Sequence, residues 1–295
     1  MARIDVVVVA YNSGAHLRRC LEPLAGLDGV RVIVADNASP SGGLETVADL
    51  PVTLIQNERN GGFSYGCNRG WRAGAAPYVL FLNPDAHIDE ASLKALVAVF
   101  ESDRRVGIAG PRIVNEDGSL ALSQRRFPRL ASTYGRAFFL NRVFPRAEWS
   151  SELVREPAAY EAPGRPDWVS GACLMVRRSL LEQLGGLDEG FFLYCEDKDL
   201  CRRVRDAGYE VAFEPAAVAG HTEGGSAPRP GLLPVLTESR MRYARKHGGP
   251  AAGALERVGS ALVALTHMVV TRGGRARRAG YLASLMATAG RSPAR

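Results

Sequence analysis

Three short polar segments carry the residues whose types and spacing could do chemistry. They are Asn83-Pro84-Asp85, Glu196-Asp197 and His221. The first follows the apolar run 78–82, and the carboxyl end of a strand is where open α/β sheets bind ligands. A strand-end carboxylate, a later acidic pair and a histidine can together hold a divalent cation, a diphosphate and an acceptor hydroxyl. Such a set suits a transferase that acts on a nucleotide sugar.

Each of these segments also has a purely structural interpretation. Asp85 could be a solvated turn residue, and the helix dipole favours acidic residues such as Glu196 and Asp197 in a first turn. The apolar run 191–195 before them could instead raise a carboxylate pKa toward the range of a general base. A single histidine is more often structural than a ligand. The glycines on both sides of His221 predict an exposed loop, which favours a functional role.

Further candidate residues follow two other predicted strands. Tyr11 and Asn12 come after the run 4–10, and Asp36 comes after the run 30–35. Two adjacent strand ends form a crevice, where Asp36 could accept a hydrogen bond from a nucleobase or a ribose hydroxyl. An Asx turn is an equally good explanation of Asp36.

The segment Asn60-Gly61-Gly62-Phe63 predicts a loop that lets the backbone approach a ligand closely. An ordinary tight turn is its structural alternative.

These residues need a scaffold, and the first half of the chain alternates strand and helix patterns. Apolar runs predict buried strands at 4–10, 30–35, 52–56, 78–82 and 107–110. Helical spacing predicts helices at 15–24, 44–50, 64–73 and 91–101. This order predicts an α/β fold with a mostly parallel sheet flanked by helices.

The second half is less regular. The aperiodic stretch 119–166 is long for a loop and predicts a functional insertion. Beyond it we expect a strand at 168–176, a helix at 179–184 with Ser179 as its N-cap, a helix at 197–207 and a strand at 211–213. From about 232 the pattern is helical and basic. We therefore expect a ligand-binding and catalytic domain over 1–230 and a basic helical appendage over 231–295.

Composition restricts the class of protein. The 295 residues are 46% hydrophobic and 23% charged, which is ordinary for a water-soluble globular protein. Five cysteines without metal-type spacing favour a reducing compartment. The N-terminus shows no signal-peptide pattern, and the apolar stretch 258–270 is shorter than the ~20 residues that span a bilayer. These observations predict a cytoplasmic protein.

The net charge of +6 is concentrated near the C-terminus. Arginines stand at 272, 275, 277, 278, 291 and 295, after a basic group at 240–246. They could form a solvated tail, or a surface for anionic lipid or an acceptor diphosphate at the inner face of the cell membrane. Packing on the catalytic domain or homodimer formation is the competing interpretation. No helix-turn-helix, zinc or RNA-binding signature supports a nucleic-acid partner.

Taken in order, these motifs resemble the family 2 inverting glycosyltransferases with the Rossmann-like GT-A fold. The resemblance rests on Val9-Ala10-Tyr11-Asn12, Ala35-Asp36-Asn37-Ala38-Ser39, Asn60-Gly61-Gly62-Phe63, Asn83-Pro84-Asp85, Gly171-Ala172-Cys173, Glu196-Asp197-Lys198-Asp199-Leu200 and His221. Asn-Pro-Asp in place of Asp-x-Asp, together with the stretch 110–119, is similar to the rhamnosyltransferase branch.

The resemblance implies a role for each matched residue. Asp197 would be the general base, and Glu196 would orient it or the acceptor. Asp85 and His221 would bind Mg²⁺ or Mn²⁺. The donor-binding residues would be Ala10, Tyr11, Asn12, Asp36, Asn60, Gly62, Phe63, Asn68, Asn83 and Asp85. The acceptor would meet Trp168, Gly171, Ala172 and Glu196.

The implied reaction is metal-dependent and inverting. It would move a sugar, best matched by L-rhamnose from dTDP-rhamnose, to a hydroxyl of a saccharide or a polyprenyl-diphosphate-linked acceptor. Other readings are a non-catalytic nucleotide- or carbohydrate-binding protein on the same fold, a basic peripheral-membrane scaffold, and a secondary-metabolite glycosyltransferase with another donor.

Overall fold

The computed structural model describes residues 3–40, 42–222, 229–271 and 274–291, and these form two compact units. The first unit comprises 1–125, 156–190 and 196–224, and the second 126–155, 191–195 and 225–295. The strands are β1 Ile4–Ala10, β2 Val30–Asp36, β3 Thr53–Gln56, β4 Tyr78–Leu82, β5 Ala86–Ile88, β6 Val106–Asn115, β7 Leu120–Ala121, β8 Gln124–Arg125, β9 Trp168–Val169, β10 Cys173–Arg177 and β11 Glu210–His221. The helices are α1 Gly14–Leu21, α2 Phe63–Arg72, α3 Glu90–Ser102, α4 Leu130–Ala137, α5 Leu140–Val143, α6 Arg178–Leu184, α7 Glu196–Asp206, α8 Leu233–Val270 and α9 Gly274–Thr288.

The first unit is built on a mixed sheet flanked by helices, which confirms the predicted α/β class. The strand order is β3-β2-β1-β4-β10-β6-β11-β5, with β7 paired to β6. The four strands from β3 to β4 are parallel, as their buried apolar runs predict. Strand β10 then runs antiparallel between β4 and β6. Strand β11 is parallel to β6 and antiparallel to β5.

Close packing of α2 on the sheet explains two glycines in that helix. A Cβ atom at Gly70 would lie 2.3 Å from Cγ1 of Val7, and one at Gly66 would lie 2.5 Å from Cγ1 of Val9. Only glycine lets the helix backbone approach β1 this closely. The helix can therefore start beside the carboxyl end of β1, where the predicted ligand crevice lies.

Three local predictions are wrong. Helix α6 begins at Arg178, and Arg177 precedes it without a side-chain cap, so Ser179 is not the N-cap. The stretch 44–50 forms only a 3₁₀ turn over Leu44–Val47. The predicted short strand 211–213 is the twelve-residue β11, so His221 ends a strand and does not lie in a glycine loop. Pairing with β6 and β5 extends β11, and such distant partners are invisible in a local pattern.

The second unit is helical, and it is larger than the predicted appendage over 231–295. It includes α4 and α5 from the predicted insertion as well as α8 and α9. Helix α8 is kinked at Gly249, which has φ 79°, because Pro250 cannot continue the backbone hydrogen-bond ladder. Arg272 and Arg295 of the basic tail lie outside the described residues.

By length and composition alone, one helical stretch of the described chain, Pro230–Val270, could cross a membrane. Core helices of water-soluble proteins meet the same criterion. Within this stretch Glu256 is buried, and its Oε1 accepts a hydrogen bond of 2.9 Å from Nε of Arg240. This contact places the polar side of the helix against protein.

Candidate active site

The start of α7 presents Asp197 as a half-buried carboxylate with a defined orientation. Its Oδ2 accepts a hydrogen bond of 2.9 Å from the backbone N–H of Gly171, and its Oδ1 accepts one of 2.7 Å from the N–H of Lys198. The two residues just before α7, Tyr194 and Cys195, have φ values of 69° and 67°. Such left-handed backbone is costly for non-glycine residues and is concentrated at functional sites.

The neighbouring Glu196 is a buried acid. Its side chain belongs to a residue that is only 7% exposed, and its Oε2 has no hydrogen-bond partner among the described residues. Burial raises the pKa of Glu196 well above its ordinary value, and the charge of Asp197 raises it further. This shift favours the protonated form of Glu196. Its contact with the acceptor stays a prediction.

Asp85 and His221 form the second pair of neighbouring side chains in the site. Nε2 of His221 lies 3.2 Å from Oδ1 of Asp85, and the two side chains are 17% and 18% exposed. The antiparallel pairing of β11 with β5 sets His221 opposite Ala86, and the N–H of Thr222 donates to the backbone oxygen of Asp85. Burial favours a higher pKa for Asp85, but the hydrogen bond and charge of His221 outweigh it and hold that pKa below its ordinary value.

This pair fits a divalent cation that is bound together with a ligand. The described residues contain no cluster of three or more His, Cys, Asp or Glu side chains that could hold a metal by themselves. Mg²⁺ usually takes one or two carboxylates and completes its shell with substrate phosphates and water. Asp85 and His221 can supply two ligands of that kind of site.

One short segment connects the two carboxylate positions. The N–H of Asn83 donates a hydrogen bond of 2.9 Å to the backbone oxygen of Ala172, and the N–H of the preceding Gly171 holds Asp197. The antiparallel register of β10 on β4, with Cys173 opposite Leu82, produces this contact. The turn that carries Asp85 and the start of α7 are thus joined through residues 171–172.

The carboxyl ends of β1 and β2, where the sequence predicts a crevice, lie side by side, with Ala10 paired to Asp36. The N–H of Asn37 donates to the backbone oxygen of Ala10 over 2.8 Å, and Asn12 adopts a left-handed backbone with φ 53°. Tyr11 beside it is exposed. Ala10, Tyr11 and Asn12 therefore stay predicted donor contacts at an open strand end.

Asp36 forms the Asx turn that was its structural alternative. Its Oδ2 accepts a hydrogen bond of 2.9 Å from the N–H of Ser39, and its Oδ1 accepts one from the Ser39 hydroxyl. The same hydroxyl accepts from the N–H of Asn12 over 2.9 Å. Asp36 is buried and shapes the crevice through Ser39. Its contact with a nucleotide stays a prediction.

The glycine loop formed by residues 60–63 lies against this crevice. Gly62 has φ 88°, which requires glycine, and its N–H donates to Oδ1 of Asn60 over 3.1 Å. Its backbone oxygen accepts from Nδ2 of Asn37 over 2.9 Å, and Phe63 begins α2 directly afterwards. The loop and the end of β2 thus share one hydrogen-bond network.

Two residues that the sequence predicts as ligand contacts have side chains packed within the protein. Asn68 is buried in α2. Its Nδ2 donates to Leu187 and Glu189, and its Oδ1 accepts from Trp71 and Leu187, so its hydrogen-bonding capacity is used within the protein. Trp168 is also buried, and its ring lies 4.9 Å from Nζ of Lys198. It packs against Lys198 of α7, and its contact with the acceptor stays a prediction.

Two residues that shape the crevice had no role assigned from the sequence. Ser39 links Asp36 to Asn12, and Asn57 donates from its Nδ2 to Oδ1 of Asn37 over 2.9 Å. Asn57 follows β3 directly, as Asp36 and Asn37 stand at the end of β2. The strand-end rule that selected Asp36 would have found it.

Comparison with known proteins identifies the family. The sequence pattern of Glycosyl transferase family 2 matches residues 5–185, which hold the crevice, the glycine loop and Asp85. The chain belongs to this family. This family 2 glycosyltransferase is 34% identical over 265 residues to the N-acetylglucosaminyl-diphospho-decaprenol L-rhamnosyltransferase of Mycobacterium tuberculosis. The match covers 83% of this chain and 85% of the relative. It is 28% identical to the rhamnosyltransferase WbbL of Escherichia coli strain K12, covering 74% and 83%.

A solved structure confirms the GT-A fold of this family 2 glycosyltransferase. The mannosyltransferase of Pyrobaculum calidifontis, in complex with GDP-Man and Mn²⁺, matches with a TM-score of 0.57 at 18% identity. The match covers 98% of this chain and 86% of the other. At this identity the likeness concerns the fold alone.

Proposed function

We propose that this glycosyltransferase moves L-rhamnose from dTDP-rhamnose, with inversion, to a hydroxyl of a polyprenyl-diphosphate-linked saccharide. The observation that carries the proposal is a half-buried Asp197 carboxylate, held by two backbone N–H groups, in the same unit as the Asp85 and His221 pair. The sugar is supported by the names of the two rhamnosyltransferase relatives, and the acceptor by the name of one of them, which acts on a diphospho-decaprenol substrate.

In this mechanism Asp197 is the general base. The acceptor oxygen attacks the anomeric carbon from the face opposite the nucleotide, its proton passes to Asp197, and the bond to the diphosphate oxygen breaks. A single displacement of this kind inverts the configuration. The hydrogen bonds from Gly171 and Lys198 hold the base in position before the acceptor arrives. Because burial favours the protonated form of Glu196, a second negative charge beside the base is disfavoured.

The departing diphosphate needs compensation for its growing negative charge. Asp85 and His221 would hold a divalent cation against the diphosphate, and that cation supplies this compensation when bound. Through that cation the same two residues would orient the diphosphate.

We further propose that the helical second unit attaches the enzyme to anionic membrane without spanning it. Of the large hydrophobic side chains that the described residues expose, all but Tyr11, Leu54 and Val218 belong to this unit. They include Phe138, Phe144 and Trp149. Exposed apolar and aromatic side chains next to arginines are the composition of an interface-bound surface. Homodimer formation is the alternative use of this surface.

A donor panel tests the transfer reaction directly. The purified chain is given dTDP-rhamnose, UDP-GlcNAc or GDP-mannose with Mn²⁺ and a short-chain polyprenyl-diphospho-GlcNAc, and products are read by mass spectrometry. We expect product only with dTDP-rhamnose, and product of inverted configuration. Transfer from another donor would replace the sugar in the proposal. If none of the donors is hydrolysed or transferred, the enzyme assignment for this acceptor class would be rejected.

A further inference from the structure

The helical unit contains a partly open cavity that the transfer mechanism does not use. It has a volume of about 300 Å³ and is lined by residues of α4, α5, α8 and α9. Its charged and titratable lining consists of Arg136, Arg142, Arg240, Arg277 and His267, with the hydroxyl of Tyr281. Among the described residues that line it there is no carboxylate. An interior space of this size is comparable to small-molecule sites.

Half of this arginine charge is neutralised by nearby carboxylates. Arg240 is paired with Glu152 and Glu256, each over 2.9 Å. These two carboxylates also face Arg136, so the four groups together are formally neutral. Arg142 and Arg277 add two further positive charges at the cavity. Of these, Arg142 packs over the ring of Phe139 at 4.6 Å.

Two buried polar atoms at the cavity lack a hydrogen-bond partner among the described residues. One is Nε of Arg136, and the other is Oδ1 of Asn141. Burial and repulsion by Arg240 lower the pKa of Arg136 to about 10, which still leaves it charged at neutral pH. A buried guanidinium N–H without an acceptor is costly, and an anionic oxygen satisfies it best.

We propose that this cavity is a diphosphate-binding site. Guanidinium groups match phosphate oxygens in geometry and charge, and four of them line one cavity. Burial lowers the pKa of His267, which disfavours a charge on its ring, and a neutral ring can still donate one hydrogen bond. The amide of Asn141 can donate its N–H₂ group after a rotation of its plane. The ligand is either free diphosphate or the diphosphate of a lipid-linked molecule.

Calorimetry with inorganic pyrophosphate tests the site. The full chain is titrated in excess EDTA, so that metal-dependent binding of diphosphate at Asp85 and His221 does not contribute. The variant R142Q/R277Q removes two cavity arginines without touching the buried Arg136–Arg240 group. The matched control R146Q/R278Q removes the same charge from exposed positions that do not line the cavity.

We expect wild type and control to bind pyrophosphate alike, and the cavity variant to bind about tenfold more weakly or worse. No binding by the wild type, or equal loss in the control, would overturn the proposal. Binding of dTDP with Mn²⁺ is measured on the same proteins and should be unchanged in the cavity variant. Loss of both ligands together would also overturn it, because one site would then explain both.

A second arm distinguishes the source of the diphosphate. Farnesyl diphosphate replaces pyrophosphate in the same titrations. Tighter binding than that of pyrophosphate, lost in R142Q/R277Q, assigns the site to a lipid-linked diphosphate. Equal binding of the two ligands assigns it to the free anion. Neither readout requires donor, acceptor sugar or turnover, so failure of this site and failure of the proposed transfer are separate results.

Discussion

The backbone N–H of Gly171 donates a hydrogen bond of 2.9 Å to Oδ2 of Asp197, across twenty-six positions of sequence. A Cβ atom at position 171 would lie 3.0 Å from Cβ of Asp197. Residue 171 therefore has to be small, and its N–H sets the direction of the carboxylate that we propose as the base. The neighbouring Ala172 accepts from Asn83, so the same segment also fixes the turn before Asp85.

Replacement of Asp197 by Asn should abolish transfer and leave donor binding nearly intact. Loss of a positioned general base lowers the rate by about 10²–10⁴. Steady-state kinetics and calorimetry with dTDP measure the two effects. Asp206→Asn, an exposed substitution at the end of α7, is the control and should keep full activity. Turnover near wild type in the Asp197 variant would reject the assignment, and a protein without any turnover to lose would be a binding module.

Gly171→Ala should lower kcat about tenfold and change the donor KM little. The added methyl must displace the Asp197 carboxylate by a few tenths of an ångström, and small misplacements of a catalytic group are costly. Gly231→Ala is the matched control, because a Cβ there meets no atom within 4 Å. A variant with wild-type kcat would show that Gly171 does not orient the base. Thermal denaturation checks that both proteins remain folded.

Removal of divalent cations with excess EDTA should stop transfer, and Mn²⁺ should restore it. Asp85→Asn and His221→Ala should each weaken metal-dependent dTDP binding by at least about tenfold, because each removes a ligand of the cation. Asp28→Asn changes an exposed carboxylate and serves as the control. Full activity in EDTA would contradict the metal proposal.

The buried acid Glu196 should make the protein less stable as the pH rises. In the unfolded chain this carboxyl loses its proton near its ordinary pKa of 4.5, whereas the folded protein retains it to much higher pH. The unfolded state therefore binds fewer protons above pH 4.5, and the free energy of unfolding falls with pH by as much as about 1.4 kcal/mol per unit. Urea denaturation at pH 5 and pH 8 measures this loss of stability.

Glu196→Gln cannot titrate, so its stability should depend less on pH than that of the wild type. Glu182→Gln, at an exposed position of α6, is the matched control and should keep the wild-type slope. An unchanged slope in the Glu196 variant would show that this carboxyl is ionised in the folded protein.

The helical unit should carry the enzyme to anionic vesicles. In liposome flotation we expect recovery with the vesicles to rise with the anionic lipid fraction and fall with salt, since each near-surface Lys or Arg contributes about 1 kcal/mol. Phe138→Ser with Phe144→Ser should reduce binding, whereas Leu54→Ser, an exposed position in β3, should not. Equal recovery in the soluble fraction at every lipid composition would favour the homodimer interpretation.

Local pattern was sufficient where burial is continuous along the chain. The runs at β1, β2 and β4 are largely apolar, so each predicts a buried strand, and the polar residues after them predict the crevice. The start of α7 at Glu196-Asp197 was predicted to within one residue, because acidic residues and apolar spacing mark it. The residue types of the candidate site can therefore be predicted from the sequence without the fold.

Pairing between distant segments cannot be predicted from local sequence pattern. Strand β10 reverses the sheet direction, and the pairing of β11 with β5 brings His221 to Asp85, 136 positions away in sequence. In β1, Asp5 interrupts an apolar run without visible reason, and only the fold shows it buried against Arg178 at 2.6 Å. The same holds for Asn68, whose amide is consumed by the segment 187–189.

The sequence by itself determined the family, the α/β order and the chemical groups at the strand ends, because apolar periodicity and residue type are local properties. The tertiary structure decided which groups lie in contact and how burial and hydrogen bonding affect each of them. Glu196 and Asp197 are adjacent carboxylates in the sequence, yet burial raises the pKa of Glu196 while Gly171 holds Asp197 half-exposed. Desolvation and hydrogen bonding depend on neighbours from distant parts of the chain, so only the folded protein separates the two roles.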